Sequence, residues 1–119
     1  MNAALLRALL THVEGNPKLL DLTVYGQARP SGIAADLAGR ALLLDGWELA
    51  GDNAFRKDGR EISGWAAIET AAQAALGLTD SQFWGGGDQD TLFGLANPDE
   101  AVARLRELAG QAEAEVANA

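Results

Sequence analysis

Apolar side chains recur every three or four residues over most of this chain, the spacing of one face of an α-helix. The first helix is predicted to begin after the cap Asn2 and to end near residue 14, before the break at residues 15–17. Its expected buried stripe consists of Leu5, Leu6, Leu9, Leu10 and Val13.

Two more helices are predicted in the middle of the chain. One covers residues 31–45, with Ser31 as its cap and Gly46 as its left-handed terminator. Because a glycine inside a helix costs about 1 kcal/mol relative to alanine, Gly39 is expected to have a packing role there. The next helix covers residues 64–76, with Ser63 as its cap and Gly77 at its end.

Start signals predict two helices nearer the carboxyl end. Thr79 and Gln82 match a capping box, which begins a short helix that carries Trp84. Asn97 and Pro98 offer a cap and a proline at the first helical position. The final helix is expected to fade after residue 110, and the last few residues to fray.

Residues 47–62 interrupt the helical pattern with turn-forming Gly, Asp and Asn, and predict a small β-hairpin of residues 47–49 with 54–56. Residues 19–25 fit a short strand or an extended linker, and residues 26–30 a loop. The expected fold is mainly α, a compact bundle of four or five helices with one small β-hairpin. Residues 1–119 are expected to form a single globular domain.

Composition restricts the chemistry. The 119 residues carry 9 Lys+Arg against 17 Asp+Glu, a formal net charge of −8, with no cysteine and one histidine, His12. Disulfides and thiol chemistry are excluded, and no cofactor or metal is expected. A charge of this sign disfavours direct nucleic-acid binding, because phosphates are neutralised by cations. With no apolar run near 18 residues and no secretion signal, no membrane contact is expected and a cytoplasmic location is predicted.

A glycine- and aspartate-rich string at residues 85–94 is the most motif-like part of the chain. It is similar to one copy of the repeat of calcium-binding β-rolls, an architecture that needs several stacked copies. Asp88 and Asp90 offer oxygen ligands for a hard cation, but a mobile acidic loop is the favoured interpretation. Trp84, next to this loop, is the expected exposed anchor, so Trp84, Asp88 and Asp90 are the predicted partner-binding residues.

Residues 32–41 resemble the Gly-Thr-x-x-Cys-Ile-Ala-Gly-Trp-Ala segment of small uncharacterised proteins of actinobacteria and their phages. A Leu-Gly-Leu-Thr segment at residues 76–79, Leu-Phe at residues 92–93 and a final helix follow in the same order. Asp36 stands at the cysteine position of that group and Arg40 at its large aromatic. The resemblance implies an accessory protein of a phage, mobile element or actinobacterial host, and carries over no activity.

The leading hypothesis is a non-enzymatic protein that acts by binding another protein, encoded by host or phage. One alternative is an acidic DNA mimic that inhibits a nucleic-acid-processing enzyme of the restriction or CRISPR type. A second is a small enzyme with a carboxylate pair, which predicts a deep polar pocket and perturbed carboxylates. Alanine-rich faces, such as residues 66–75, also suggest tight helix pairing and a possible homodimer.

Overall fold

Helices and short strands alternate along the chain in this computed structural model, which describes residues 1–84 and 97–118. The helices are α1 (Ala3–Gly15), α2 (Leu37–Leu44), α3 (Trp65–Leu76), α4 (Asp80–Trp84) and α5 (Pro98–Ala117), with a 3₁₀ turn at Pro17–Leu19. The strands are β1 (Gln27–Arg29), β2 (Gly32–Ala34), β3 (Glu48–Gly51), β4 (Ala54–Lys57) and β5 (Arg60–Ser63).

The strands form two small antiparallel sheets. The first is the β1–β2 hairpin, in which Gln27 pairs with Ala34. The second has the order β3-β4-β5, with Phe55 of β4 opposite Leu49 on one side and Ile62 on the other. Phe55 is fully buried, so this sheet contributes its central side chain to the same core as the helices.

The expected mainly α bundle with one hairpin is wrong, because residues 1–84 and 97–118 form a mixed α/β fold with two sheets. Residues 27–34, expected as a loop and the start of a helix, form β1, a turn at Pro30 and Ser31, and β2. The cap of α2 is Asp36 rather than Ser31, since the Asp36 side chain accepts a hydrogen bond from the Gly39 amide at 2.8 Å. The predicted hairpin is present but is extended by β5.

Four helices enclose the core. α1 packs between α5 and α2, and α3 packs mainly on α2. The predicted stripe of α1 is buried as expected. Ion pairs of Arg7 with Glu113 and of Glu14 with Arg106 (2.8 Å) show that α1 and α5 run antiparallel.

Most of the predicted helix ends are confirmed. Asn2 accepts from the Leu5 amide at 3.1 Å, and Asn97 from the Asp99 amide at 2.9 Å. Thr79 and Gln82 form the capping box, with their reciprocal bonds at 2.9 and 3.3 Å. Two details differ. Ser63 lies in β5 and does not cap α3, which follows Gly64 at φ +86°, and α5 continues past residue 110 to its end at Ala117.

No helix within residues 1–84 and 97–118 is both long enough and apolar enough to cross a membrane.

Candidate functional site

The predicted partner-binding residues fall at the edge of the described structure. Trp84 is the last residue of α4. Asp88 and Asp90 lie outside the described residues, so a contact loop containing them stays a prediction.

Trp65 is a large exposed side chain that the sequence pattern did not single out. It is the first residue of α3 and is 62% exposed, whereas Trp47 is partly buried against the core. One turn later on the same helix lies Glu69, and residues four apart on a helix are surface neighbours. The exposed indole therefore lies beside a carboxylate.

Glu69 belongs to a group of acidic side chains where α3 packs on α2. We call this group the acidic cluster, and define it as Asp36, Glu69 and Tyr25. Asp36 precedes α2, Glu69 lies on α3, and Tyr25 lies just before β1. The three meet because the Tyr25 segment crosses α2, where the Asp36 amide donates to the Val24 carbonyl at 2.9 Å.

Asp36 is 5% exposed, and one of its carboxylate oxygens is engaged by the Gly39 amide. Burial raises the pKa of Asp36 to about 8, and the charge of Glu69 raises it further, while hydrogen bonds from the Gly39 and Ala38 amides oppose the shift. A carboxyl group in this position holds its proton at neutral pH. The cap of α2 is therefore a mostly uncharged acid.

Glu69 is 7% exposed, and its side chain has no hydrogen bond and no ion pair with any residue of the described part. Burial raises its pKa. Among the described residues, His12 Nδ1 is the one side-chain polar atom that is both fully enclosed and without a hydrogen-bond partner. Because the Glu69 oxygens also lack a partner, they are not fully enclosed and keep some contact with solvent. The pKa of Tyr25 rises to about 12, through burial first and then through the charges of Glu69 and Asp36.

Arg40 does not neutralise the acidic cluster, although it lies one turn after Asp36. Its guanidinium donates to the Ile33 carbonyl, and no carboxylate of the described residues lies within 4 Å. Burial lowers its pKa, and its charge acts instead on His12 of α1. The cation and the acids thus occupy separate buried positions.

The remaining candidate features are less enclosed. The alanine-rich outer face of α3 lines an open groove of about 470 Å³ together with Arg60. A homodimer through this face stays a prediction. Within residues 1–84 and 97–118, no three His, Cys, Asp or Glu side chains meet in a group that would hold a metal ion.

Sequence reasoning missed the acidic cluster, because Asp36 and Glu69 are 33 positions apart and no motif links them. The signal that was available is the four-residue spacing of Trp65 and Glu69. Comparison with protein-family models, curated proteins and solved structures finds no match to this chain. The similarity to small actinobacterial and phage proteins stays a prediction.

Proposed function

We propose that this chain is a non-enzymatic protein that binds another protein, and that Trp65 is the centre of its binding surface. The observation that carries the proposal is the 62% exposure of Trp65 at the start of a helix whose other side is packed into the core. Tryptophans that fill a partner's pocket dominate the energetics of many interfaces.

The charge of the molecule indicates a partner with a basic surface. The chain has 17 Asp+Glu against 9 Lys+Arg, and Glu69, the carboxylate beside Trp65, has no cation partner among the described residues. Opposite charges steer association and favour the correct partner. A basic nucleic-acid-processing enzyme, the target of a DNA mimic, is one protein of this class.

The acidic cluster also contains the perturbed carboxylates that an acid–base enzyme would use. A general acid must reach its substrate at hydrogen-bond distance. Asp36, whose pKa is raised to about 8, is 5% exposed and uses one oxygen to cap α2. This enclosure favours a binding role for the surface over bond-making at Asp36.

The test places a photo-crosslinking amino acid at position 65 and expresses the protein in the cells that naturally contain it. Val116, which is 64% exposed on α5, provides the matched control position. We expect position 65 to crosslink to a basic protein that position 116 does not reach.

The identified partner is then purified and its Kd measured by calorimetry. Trp65→Ala is expected to weaken binding by about 30-fold or more, the effect of a tryptophan hot spot worth about 2 kcal/mol. Val116→Ala is expected to change the Kd less than twofold. An unchanged Kd for Trp65→Ala, or no crosslink from position 65, overturns the proposed function.

A further inference from the structure

Glu69 and Trp65 together offer a carboxylate and an aromatic face, the two features that bind a single cation. We propose that they bind one arginine or lysine side chain of the partner protein, with its charged group at the Glu69 carboxylate and its stem along the Trp65 indole. This inference rests on the proposed function and adds the chemistry by which the partner is recognised.

The geometry of α3 supports this receptor. Positions 65 and 69 are one helical turn apart, which places their Cβ atoms about 5–6 Å from each other. A cation attracted to a tryptophan face lies within about 6 Å of the ring, so one cationic group reaches both side chains. Arginine suits the site best, since it stacks on aromatic faces and pairs with a carboxylate through two donors.

Glu69 is the second, independent observation. It is 7% exposed, yet no donor or cation of the described residues pairs with it. An enclosed carboxylate without a partner is costly, and the cost is removed by a proton or by an external cation. Because its oxygens keep some contact with solvent, a cation can reach Glu69 from outside.

Among the described residues, no charged group on the neighbouring elements occupies the place beside the Glu69 carboxylate that an external cation would take. Asp36 before α2 and Tyr25 before β1 are acids with pKa values raised to about 8 and about 12, so neither supplies a cation that would pair with Glu69. From β5, Glu61 is paired with Arg56 at 2.9 Å, and Arg60 lines the groove on the outer face of α3.

Arg40 of α2 and His12 of α1 do not pair with Glu69 either. The Arg40 charge lowers the pKa of His12, and its guanidinium donates to the Ile33 carbonyl, so no cation of the described residues neutralises the acidic cluster.

Binding at this site is coupled to proton release. Burial raises the pKa of Glu69 in the free protein, and an incoming cation favours its ionised form. Affinity should therefore fall as the pH is lowered through the raised pKa of Glu69, because a bound proton then has to be displaced. Attraction to an exposed carboxylate with an ordinary pKa would weaken only at lower pH.

The probe is N-acetyl-arginine amide, titrated into the full chain while the tryptophan indole N–H signals are followed by NMR. The Trp65 signal is assigned as the one missing from Trp65→Phe. We expect a saturable shift of this signal, at least tenfold weaker binding for Glu69→Gln, and a loss of binding on acidification that begins above the ordinary glutamate pKa of 4.5. Glu69→Gln keeps the shape of the protonated side chain, so its fold is checked by an unchanged amide spectrum.

Three controls make the result specific. N-acetyl-citrulline amide has the same shape without the charge and should cause no saturable shift. Glu61→Gln removes an exposed carboxylate of β5 and should leave binding unchanged. Calcium chloride tests a metal ion as the alternative occupant. Equal binding of citrulline, a full response of Glu69→Gln, or saturation by calcium but not by arginine overturns the inference.

The two proposals fail separately. If the arginine probe does not bind but Trp65→Ala still weakens the protein partner, only the arginine receptor is wrong. If the probe binds through Glu69 but Trp65→Ala leaves the partner Kd unchanged, the proposed function is wrong.

Discussion

The main-chain carbonyl oxygen of Tyr25 lies directly against Gly39 of α2. A Cβ atom at position 39 would stand 1.7 Å from that oxygen, far inside any allowed contact. The packing role expected for this glycine is therefore the close crossing of the Tyr25 segment over α2. The same crossing places the Tyr25 side chain where the charges of Asp36 and Glu69 act on it.

Gly39→Ala should destabilise the fold, although alanine is the better helix former. Relief of the overlap with the Tyr25 carbonyl requires a shift of backbone, and overpacking of this kind costs about 1–3 kcal/mol or more. Urea unfolding followed by circular dichroism measures the effect. The control is Gly110→Ala in α5, where a Cβ meets nothing within 4 Å and a gain of about 1 kcal/mol is expected. Destabilisation of both variants alike would contradict the crossing.

Asn53→Ala should cost more stability than Asn53→Gly. Asn53 has φ +56°, and its side-chain oxygen accepts from the amides of Tyr25 (2.8 Å) and Gly26 (3.2 Å). Both variants lose these bonds, but alanine also meets the left-handed penalty of about 1–2 kcal/mol, which glycine avoids. Thermal unfolding ranks the two variants.

Asp58 serves as the control that separates backbone strain from the lost hydrogen bonds. It has φ +51°, and its side chain makes no hydrogen bond within the described residues. Asp58→Ala should cost about 1 kcal/mol or less, because aspartate itself already tolerates this region only moderately well. A loss at Asp58 as large as that of Asn53→Ala would show that the two hydrogen bonds to the Tyr25 segment contribute little.

Asp36→Asn should make stability less dependent on pH. The folded pKa of Asp36, about 8, lies above its ordinary value of 3.8, so the folded state holds a proton that the unfolded state releases between these values. The contribution of Asp36 is full below about pH 4 and is lost as the pH rises toward 8. Asparagine, also a good cap, should flatten the slope by up to about 1.4 kcal/mol per pH unit in urea unfolding between pH 5 and 8.

Asp21 is the matched control, a carboxylate whose pKa is shifted in the opposite direction. Hydrogen bonds from Thr23 and Arg29 lower its pKa to about 2, so its contribution is present above pH 4 and is lost as the pH falls toward 2. Asp21→Asn should flatten only that acidic range. If Asp36→Asn leaves the slope between pH 5 and 8 unchanged, the buried protonated cap is wrong.

His12 should stay neutral at a pH where a free histidine is half charged. Burial lowers its pKa below 6.5, and the charge of Arg40 lowers it further. Since the chain has one histidine, its ring proton signals give the midpoint by NMR without assignment. Arg40→Met should raise the midpoint toward 6.5, whereas Lys18→Met should not. A wild-type midpoint at or above 6.5 would contradict the enclosure of the ring.

Elements that depend on local signals could be predicted from the sequence. The cap at Asn2, the capping box of Thr79 with Gln82, and the start at Asn97 each need residues within a few positions of one another. The β3–β4 hairpin was found for the same reason. At each of these helix starts, the side chain that satisfies the free amides is close in sequence, so no tertiary information is required.

The strands β2 and β5, which were not predicted, depend on pairing with a neighbouring strand rather than on an apolar pattern of their own. β2 contains Ile33, which lies four residues before Leu37 and so imitates a helical stripe. β5 has a single buried residue, Ile62, and is a strand because it completes the sheet beside β4. The Asp-Gly pair at residues 58–59 was the available signal, since this dipeptide is typical of tight hairpin turns.

The acidic cluster was beyond sequence reasoning because its charged members are buried. Charged residues are almost never enclosed without partners, so a sequence pattern gives no reason to expect the burial of Asp36 and Glu69. The two acids come together because α2 packs on α3. Such an outcome depends on which faces meet, and periodicity alone does not determine that.

The antiparallel pairing of α1 with α5 has a practical consequence. Since Arg7 contacts Glu113 while Glu14 contacts Arg106, residue 1 and residue 118 leave from the same pole of this helix pair. A unit whose ends emerge side by side can be spliced into a surface loop of a carrier protein without stretching either one. Leu76, whose carbonyl accepts from the Asn2 amide at 2.8 Å, lies at the opposite end of α3 from Trp65, so a carrier joined at this pole would leave Trp65 accessible.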